Sequence, residues 1–325
     1  MLIYAGIDEA GYGPLLGPLV VARSVFALAG SDPREPLPSL WTLMRGTVCR
    51  RGNDRRRRVA VNDSKQLFSP AAGLRHLERG VLSFLYAAAM RPTSLDEILA
   101  CLAHDPASRE ITLAWYADPA GAPRLPAALE AADLEDCAGR LGRAWARAGV
   151  RLAEVNAAVV FEDRFNRLVR DDLSKAACSW RFVAGHLRAI WERYGEQHPW
   201  VIIDRQGGRR NYLDLLATLF PWTQLRSLEA GPQVSSYEVF EGARSMRIVF
   251  AVEGERAHLP VAYASMTAKY LRELLMARFN AYWQAQAPHV RATAGYHSDG
   301  SRFLRELDPT LARLGIDRAE LARIR

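Results

Sequence analysis

The stretch Gly6-Ile7-Asp8-Glu9-Ala10-Gly11-Tyr12-Gly13-Pro14-Leu15-Leu16-Gly17-Pro18 governs how the rest of the chain is read. An apolar run of strand type, residues 2–7, leads into it, and a second apolar run, residues 19–28, follows. Two such runs about a turn rich in Gly and Pro spell a hairpin. Asp8 and Glu9 then close the first strand at the rim of a sheet, where α/β folds commonly bind ligands. Adjacent carboxylates repel unless a cation neutralises them, so the pair marks either a hard-metal site or an exposed turn with both acids as bystanders. Gly11, Gly13 and Gly17 come close to a dinucleotide fingerprint. That reading fails: the spacing is off by one, Pro14 interrupts the helix start, and two carboxylates would oppose a pyrophosphate. The glycines still allow backbone N–H groups to approach a ligand closely.

Working outward, Asn62-Asp63-Ser64-Lys65 stands just before a helical pattern. Asp63 or Ser64 there suits helix capping. Lysine is rare, however, with only Lys65, Lys175 and Lys269 in the chain, and a compact ammonium can meet a phosphate as a point charge. Asp204 ends a short apolar strand over residues 200–203 and is followed by a cationic turn with Arg205, Arg209 and Arg210. Glu253 and Glu255 flank Gly254 at the end of another strand. In the next helix, expected from about 260 to 283 with Pro260 in its first turn, Ser265, Lys269 and Arg272 form one polar stripe. Tyr263, Met266, Tyr270 and Leu274 read as its core side.

The remaining pattern gives a helix from Ser69, a strand over 150–161, a long helix over 173–194, strands around 223–228, 236–241 and 247–253, and two short helical segments near Ser301 and Arg318. Residues 30–60 read as a solvated, Arg-rich loop whose charge run is placed to touch a phosphate backbone. Strands and helices mixed on this scale predict an α/β domain with a central sheet. The length of 325 residues admits one large domain with insertions or two domains.

Composition narrows the classes. A hydrophobic share of 49% with 24% charged residues excludes wholesale disorder. The early uncharged stretch, residues 10–22, is too short to span a bilayer and has the wrong flanks for a secretory signal. No membrane association is expected, and a cytoplasmic location is. Cys49, Cys101, Cys137 and Cys178 are too scattered for a zinc site or a disulfide framework, so reduced thiols are expected. The net charge of +7 and pI of about 9.4 fit either an arginine-favouring codon bias or a face that binds a polyanion.

Taken together, the opening stretch resembles the first signature of the ribonuclease HII family. Asn62-Asp63-Ser64-Lys65-Gln66-Leu67 resembles the second motif of that family, and Ile202-Ile203-Asp204 the third. Gly254-Glu255 with Ala262-Tyr263-Ala264-Ser265-Met266-Thr267-Ala268-Lys269 resembles the fourth, and Ala294-Gly295-Tyr296 a C-terminal element. All five occur in the family's order and cover roughly residues 1–85 and 148–305. The resemblance implies a ribonuclease H-like fold, a central mixed sheet flanked by helices. Residues 1–85 and 148–290 would form the catalytic core, 86–147 a mainly helical insertion, and 291–325 a C-terminal helical segment.

It further implies a hydrolase that cleaves at ribonucleotides in an RNA/DNA hybrid or in ribonucleotide-containing duplex DNA, leaving 5′-phosphomonoesters. Asp8, Glu9, Asp204 and Glu255 would be the catalytic ligands of two Mg²⁺ or Mn²⁺ ions. Gly11, Tyr12 and Gly13 would sense the 2′-hydroxyl, Tyr296 would stack near the sugar, and Ser64, Lys65, Ser265 and Lys269 would contact the substrate. No obligate protein partner is evident. The chain departs from the family pattern in four places. Tyr12 replaces an Arg, Glu255 replaces an Asp, Pro260 lies one position further from that acid, and Arg205 follows Asp204. Glu253 competes with Glu255 as the fourth ligand. Two rival readings stay open: a duplex-binding module of the same fold without catalysis, and a related nuclease for another structured nucleic acid.

Overall fold

The computed structural model describes residues 1–68, 72–103, 105–117, 123–172, 174–205 and 207–324. Nine strands occur among them: β1 (Leu2–Ala10), β2 (Leu19–Leu28), β3 (Val48–Cys49), β4 (Val59–Ala60), β5 (Val150–Val160), β6 (Trp200–Asp204), β7 (Gln224–Ala230), β8 (Val234–Glu241) and β9 (Arg244–Ala251). Strands β3 and β4 pair with each other, and the other seven form one mixed sheet in the order β5-β2-β1-β6-β9-β8-β7. The expected hairpin is the antiparallel pair β1 and β2, and β5 pairs antiparallel to β2. On the other side β1, β6 and β9 run parallel. This is the central mixed sheet anticipated above.

Central strands buried on both faces read as continuous apolar runs rather than alternating ones. Every residue of β2 is buried, including Arg23, which is paired with Glu154 at 2.8 Å. Residues of β1 alternate between two cores. Leu2 and Tyr4 face the long helix Leu259–Gln286 and the helix Arg75–Ala87, whereas Ile3, Ala5 and Ile7 face the helix Lys175–Tyr194. Helices Leu95–Leu102 and Ala131–Ala148, from the 86–147 stretch, bury Leu99, Leu134 and Leu141 in the first of these cores.

Gly6 sets how closely the long helix approaches. A Cβ at Gly6 would overlap the Pro260 carbonyl carbon and the Val261 nitrogen and stand 2.6 Å from the Pro260 oxygen. The strand and the first turn of the helix are thus in backbone contact. The Ser24 hydroxyl fixes the crossing by donating to the Pro260 oxygen at 2.7 Å.

Some sequence expectations need correction. The first C-terminal segment is no short piece but the 18-residue helix His297–Leu314. It continues through Pro309 because Phe303, Leu304, Leu307 and Leu311 bury one continuous stripe. The helix Glu162–Asp172 was not anticipated. Its neighbour runs Lys175–Tyr194, with the Ser174 side chain accepting from the Ala177 N–H as its cap. Ser69 and Leu173, where the sequence starts helices, lie outside the described residues. The supposed polar stripe of the long helix is not solvated: Lys269 and Arg272 are buried along with Tyr263 and Tyr270. No helix is long and apolar enough to cross a membrane among the described residues. None of the four cysteines is in a disulfide.

Candidate active site

Three parallel strands end side by side, and the acids come from those ends. Ile7 pairs with Ile203 and Asp204 with Ala251, so the next step along β1 sets Asp8 beside Asp204. Glu255 follows on the one-turn 3₁₀ helix Gly254–Arg256 after β9. The Gly254 N–H donates to Asp204 Oδ1 at 3.1 Å, locking that turn to the end of β6. All four family-pattern acids line one pocket of about 280 Å³. Gly11, Tyr12, Gly13, Ser64, Lys65, Ser265, Lys269 and Tyr296 line it too. Residues from five separate stretches of sequence therefore meet in one place.

Strand geometry separates the first two acids, because neighbouring side chains point to opposite faces. Asp8 turns toward the long helix, where Ser265 hydrogen-bonds its carboxylate. Glu9 turns toward the other layer, and its Oε2 accepts from the Ser179 hydroxyl at 2.5 Å. Ser265 also shares a hydrogen bond with Ser64 at 3.1 Å, tying the second motif to the fourth. Asp63 caps its short helix by accepting from the Lys65 N–H at 3.0 Å, so the capping reading of that motif holds beside the functional placement.

The electrostatics are those of crowded, partly desolvated carboxylates. Burial, then the charge of Asp204, holds the Asp8 carboxyl well above the ordinary range. Burial also raises Asp204, and it pushes Glu255 up to about 7. The charge of Asp204 adds to the rise at Glu255, so the two carboxyls oppose each other's ionisation. One oxygen of Glu255, Oε2, is buried with no hydrogen-bond partner. Lys65 is near enough to favour the charged forms of Asp204 and Glu255.

A hard divalent cation fits this donor set in kind: every donor is a carboxylate oxygen, and one is buried and unsatisfied. As placed, the side chains bond to one another and to serines. Among the described residues no three His, Cys, Asp or Glu side chains are spaced to grip one ion. Gathering a cation therefore requires side-chain rotation of these acids.

Glu255 lines the pocket and Glu253 is not among its lining residues. Strand β9 ends at Ala251, so the two acids do not share a strand face. Glu253 adopts a left-handed conformation, φ 53°, and its carboxylate pairs with Arg256 at 2.7 Å outside the pocket. Lys269 is less available than the sequence suggests, because its ammonium is 2.5 Å from Glu273 Oε1. Tyr296 is 53% exposed and Tyr12 37%, two rings presented at the pocket.

Several residues of the site were not singled out in the sequence. Ser179 carries no signal, being one serine on a distant helix. Glu273 was findable as the i+4 partner of Lys269. Arg272 was noted only as part of a stripe. It is buried, donates to the Leu16 and Ala294 carbonyls at 3.2 Å each, and lies 5.8 Å over the Tyr296 ring. Of the Arg-rich loop, Arg50 stacks on Trp41 and Arg58 pairs with Asp54, so those two are engaged within the protein.

No family model matches the chain, and no curated protein does. Among solved structures the chain is similar to the ribonuclease HII of Archaeoglobus fulgidus in its complex with PCNA, at 15% identity and TM-score 0.44, covering 100% of this chain and 95% of that one. It is similar to ribonuclease H2 of Pyrococcus horikoshii OT3, at 14% identity and TM-score 0.45, covering 99% and 92%. It is also similar to Bst-RNase HIII in complex with Mn²⁺, at 14% identity and TM-score 0.41, covering 99% of this chain and 66% of that one. At this level of likeness the chemistry has to be read from the chain's own residues.

Proposed function

We propose that the chain is a metal-dependent endonuclease that hydrolyses the phosphodiester at ribonucleotides in an RNA/DNA hybrid or in duplex DNA carrying them. The observation that carries this reading is the convergence of Asp8, Glu9, Asp204 and Glu255 on one pocket with Lys65, Tyr12 and Tyr296. In this reading residues 1–85 and 148–290 are the catalytic core, 86–147 an insertion and 291–325 a C-terminal segment.

Asp8, Asp204 and Glu255 would hold Mg²⁺ or Mn²⁺, with Glu9 contributing from the opposite face of β1. Bound there, the metal supplies Lewis acidity for water activation and for the leaving oxygen of a phosphodiester. Ser265 and Ser179 orient Asp8 and Glu9 by hydrogen bonds, and the Gly254 N–H orients Asp204. Lys65 offsets part of the acidic charge and would meet an entering phosphate, and Lys269 would do so on exchanging Glu273 for it. The backbone of residues 11–13 would sense the 2′-hydroxyl, the group that distinguishes RNA from DNA. The exposed ring of Tyr296 would pack on the sugar.

The test is cleavage of three labelled duplexes with Mg²⁺ or Mn²⁺: one with a single embedded ribonucleotide, one RNA/DNA hybrid and one all DNA. Incision of the first two and not the third, leaving 5′-phosphates, is expected. The second reading, a duplex-binding module without catalysis, draws on Tyr12 and Glu255, the two departures from the family pattern that line the pocket. Tight binding with no incision of any duplex would select it.

The two rival glutamates separate in the same assay. Glu255→Gln is expected to slow incision by about 100-fold, roughly 2.7 kcal/mol of barrier. Glu253→Gln, which removes only an exposed pair with Arg256, should stay within about twofold. Equal losses in both variants would reopen the assignment.

A further inference from the structure

A cleft of about 930 Å³ lies apart from the acidic pocket of about 280 Å³ and shares no lining residue with it. Its walls come from the loop around Arg57, from the helix Arg75–Ala87 and from the helix Ala131–Ala148. Arg57, Arg75, Arg79 and Arg140 all line it. Two of these guanidinium groups are held unusually close together. Nη2 of Arg79 donates to the Arg57 carbonyl at 2.6 Å, and Nη2 of Arg140 donates to the same oxygen at 3.2 Å. Both also point at the Cys137 sulfur, at 3.4 Å each.

The acids of the cleft do not cancel this charge. Asp54 is occupied by Arg58 and Asp136 by Arg140. Among the described residues that leaves the guanidinium groups of Arg57, Arg75 and Arg79 against the single carboxylate of Asp133. Nε of Arg140 is buried without a partner. The walls are rigidly joined as well. The buried carboxylate of Glu78 accepts from the Ala127 and Ala128 N–H groups at 2.8 and 2.6 Å, which binds the third wall to the second. Like charges fixed around one neutral oxygen are relieved by an oxyanion, and the planar arginine fork matches phosphate.

We propose that this cleft binds backbone phosphates of a nucleic-acid duplex, outside the acidic pocket and on the same duplex that the pocket engages. The proposal rests on the nuclease reading for the position of that duplex. Arg57 at the cleft and Lys65 at the pocket are eight residues apart in sequence. An extended chain bounds their separation at about 28 Å. At about 3.4 Å per base pair, a duplex covers that span within roughly eight base pairs. One duplex thus reaches both places, and the helix Ala131–Ala148 acts as a second handhold.

The test uses the full chain and a long, uncleavable all-DNA duplex of about 24 base pairs, with affinity measured against salt concentration. The variant is Arg57→Gln/Arg75→Gln, two exposed side chains, so the fold is preserved. On this duplex the variant should bind about tenfold more weakly at 0.1 M salt, with a log K against log salt slope shallower by about 1 to 2. Unchanged slope and affinity on the long duplex would overturn the proposal. So would loss of stabilisation by inorganic phosphate or pyrophosphate in the variant with duplex binding intact, which would assign the cleft to a small free anion. Absence of incision in the three-duplex assay, with the slope difference present, would sink the nuclease reading alone.

Discussion

Asp204→Asn is expected to reduce incision at an embedded ribonucleotide by about 10³-fold or more, a loss of roughly 4 kcal/mol of transition-state stabilisation. Asp204 sits beside Asp8 across the β1–β6 pair, in the pocket that Glu255 also lines. An amide keeps the oxygen that accepts from the Gly254 N–H but removes the charge a divalent cation needs. Loss of activity through unfolding is separable. Removing one of several crowded negative charges relieves repulsion, so the variant should melt no lower than the wild type. The metal itself supplies a second readout. Mn²⁺ at about 100 times its dissociation constant stabilises the native state by about 2.7 kcal/mol, and Asp204→Asn should lose most of that gain in a melting experiment. Wild-type incision by the variant would remove Asp204 from the mechanism. An undiminished Mn²⁺ effect in the variant would remove it from the metal site.

Gly6→Ala should be the most damaging single-methyl change in the chain, costing about 3 kcal/mol or more, at the upper end of what overpacking does. The added carbon meets backbone, not a flexible side chain: the Pro260 carbonyl and the Val261 nitrogen. Neither side can yield cheaply, because β1 is paired on both edges and Pro260 is held by the Ser24 hydroxyl. A helix pushed outward would also draw Ser265 from Asp8, so incision should fall along with stability. Gly13→Ala is the control, since an added carbon there meets nothing within 4 Å, and its stability should stay within about 0.5 kcal/mol. Urea unfolding of both variants decides the matter, and a Gly6→Ala midpoint equal to the wild type would contradict the close crossing.

Much of the site was legible because its signals are local. Acids at strand ends, a lysine beside a cap and glycines in a turn each carry a physical reason within a few residues. Their order along the chain supplied the rest. What stayed hidden depends on tertiary contact. Ser179 reaches Glu9 only because Glu9 faces the second layer, and no spacing in the sequence encodes that. The stripe Ser265, Lys269 and Arg272 has helical periodicity, but periodicity reports a face and not what covers it, so burial of Arg272 could not be read. The choice between Glu253 and Glu255 turned on where β9 stops and on one left-handed residue, details finer than a hydrophobic pattern resolves. The helix His297–Leu314, read only as a short segment near Ser301, runs on through Pro309, a local breaker, and the apolar stripe that overrides it is a property of the whole fold.

The central place of β1 bears on the order of events during synthesis. Its partner β2 follows at once, but its other neighbour, β6, begins at Trp200, and Glu255 comes later still. A ribosome must therefore deliver most of the chain before the acids meet, leaving one edge of β1 unpaired throughout. Pairings so distant in sequence form slowly, and an open strand edge on a nascent chain invites association with others. The same delay means that a growing polypeptide carries no assembled acidic pocket until its last third emerges. Chains released early would be prone to aggregate.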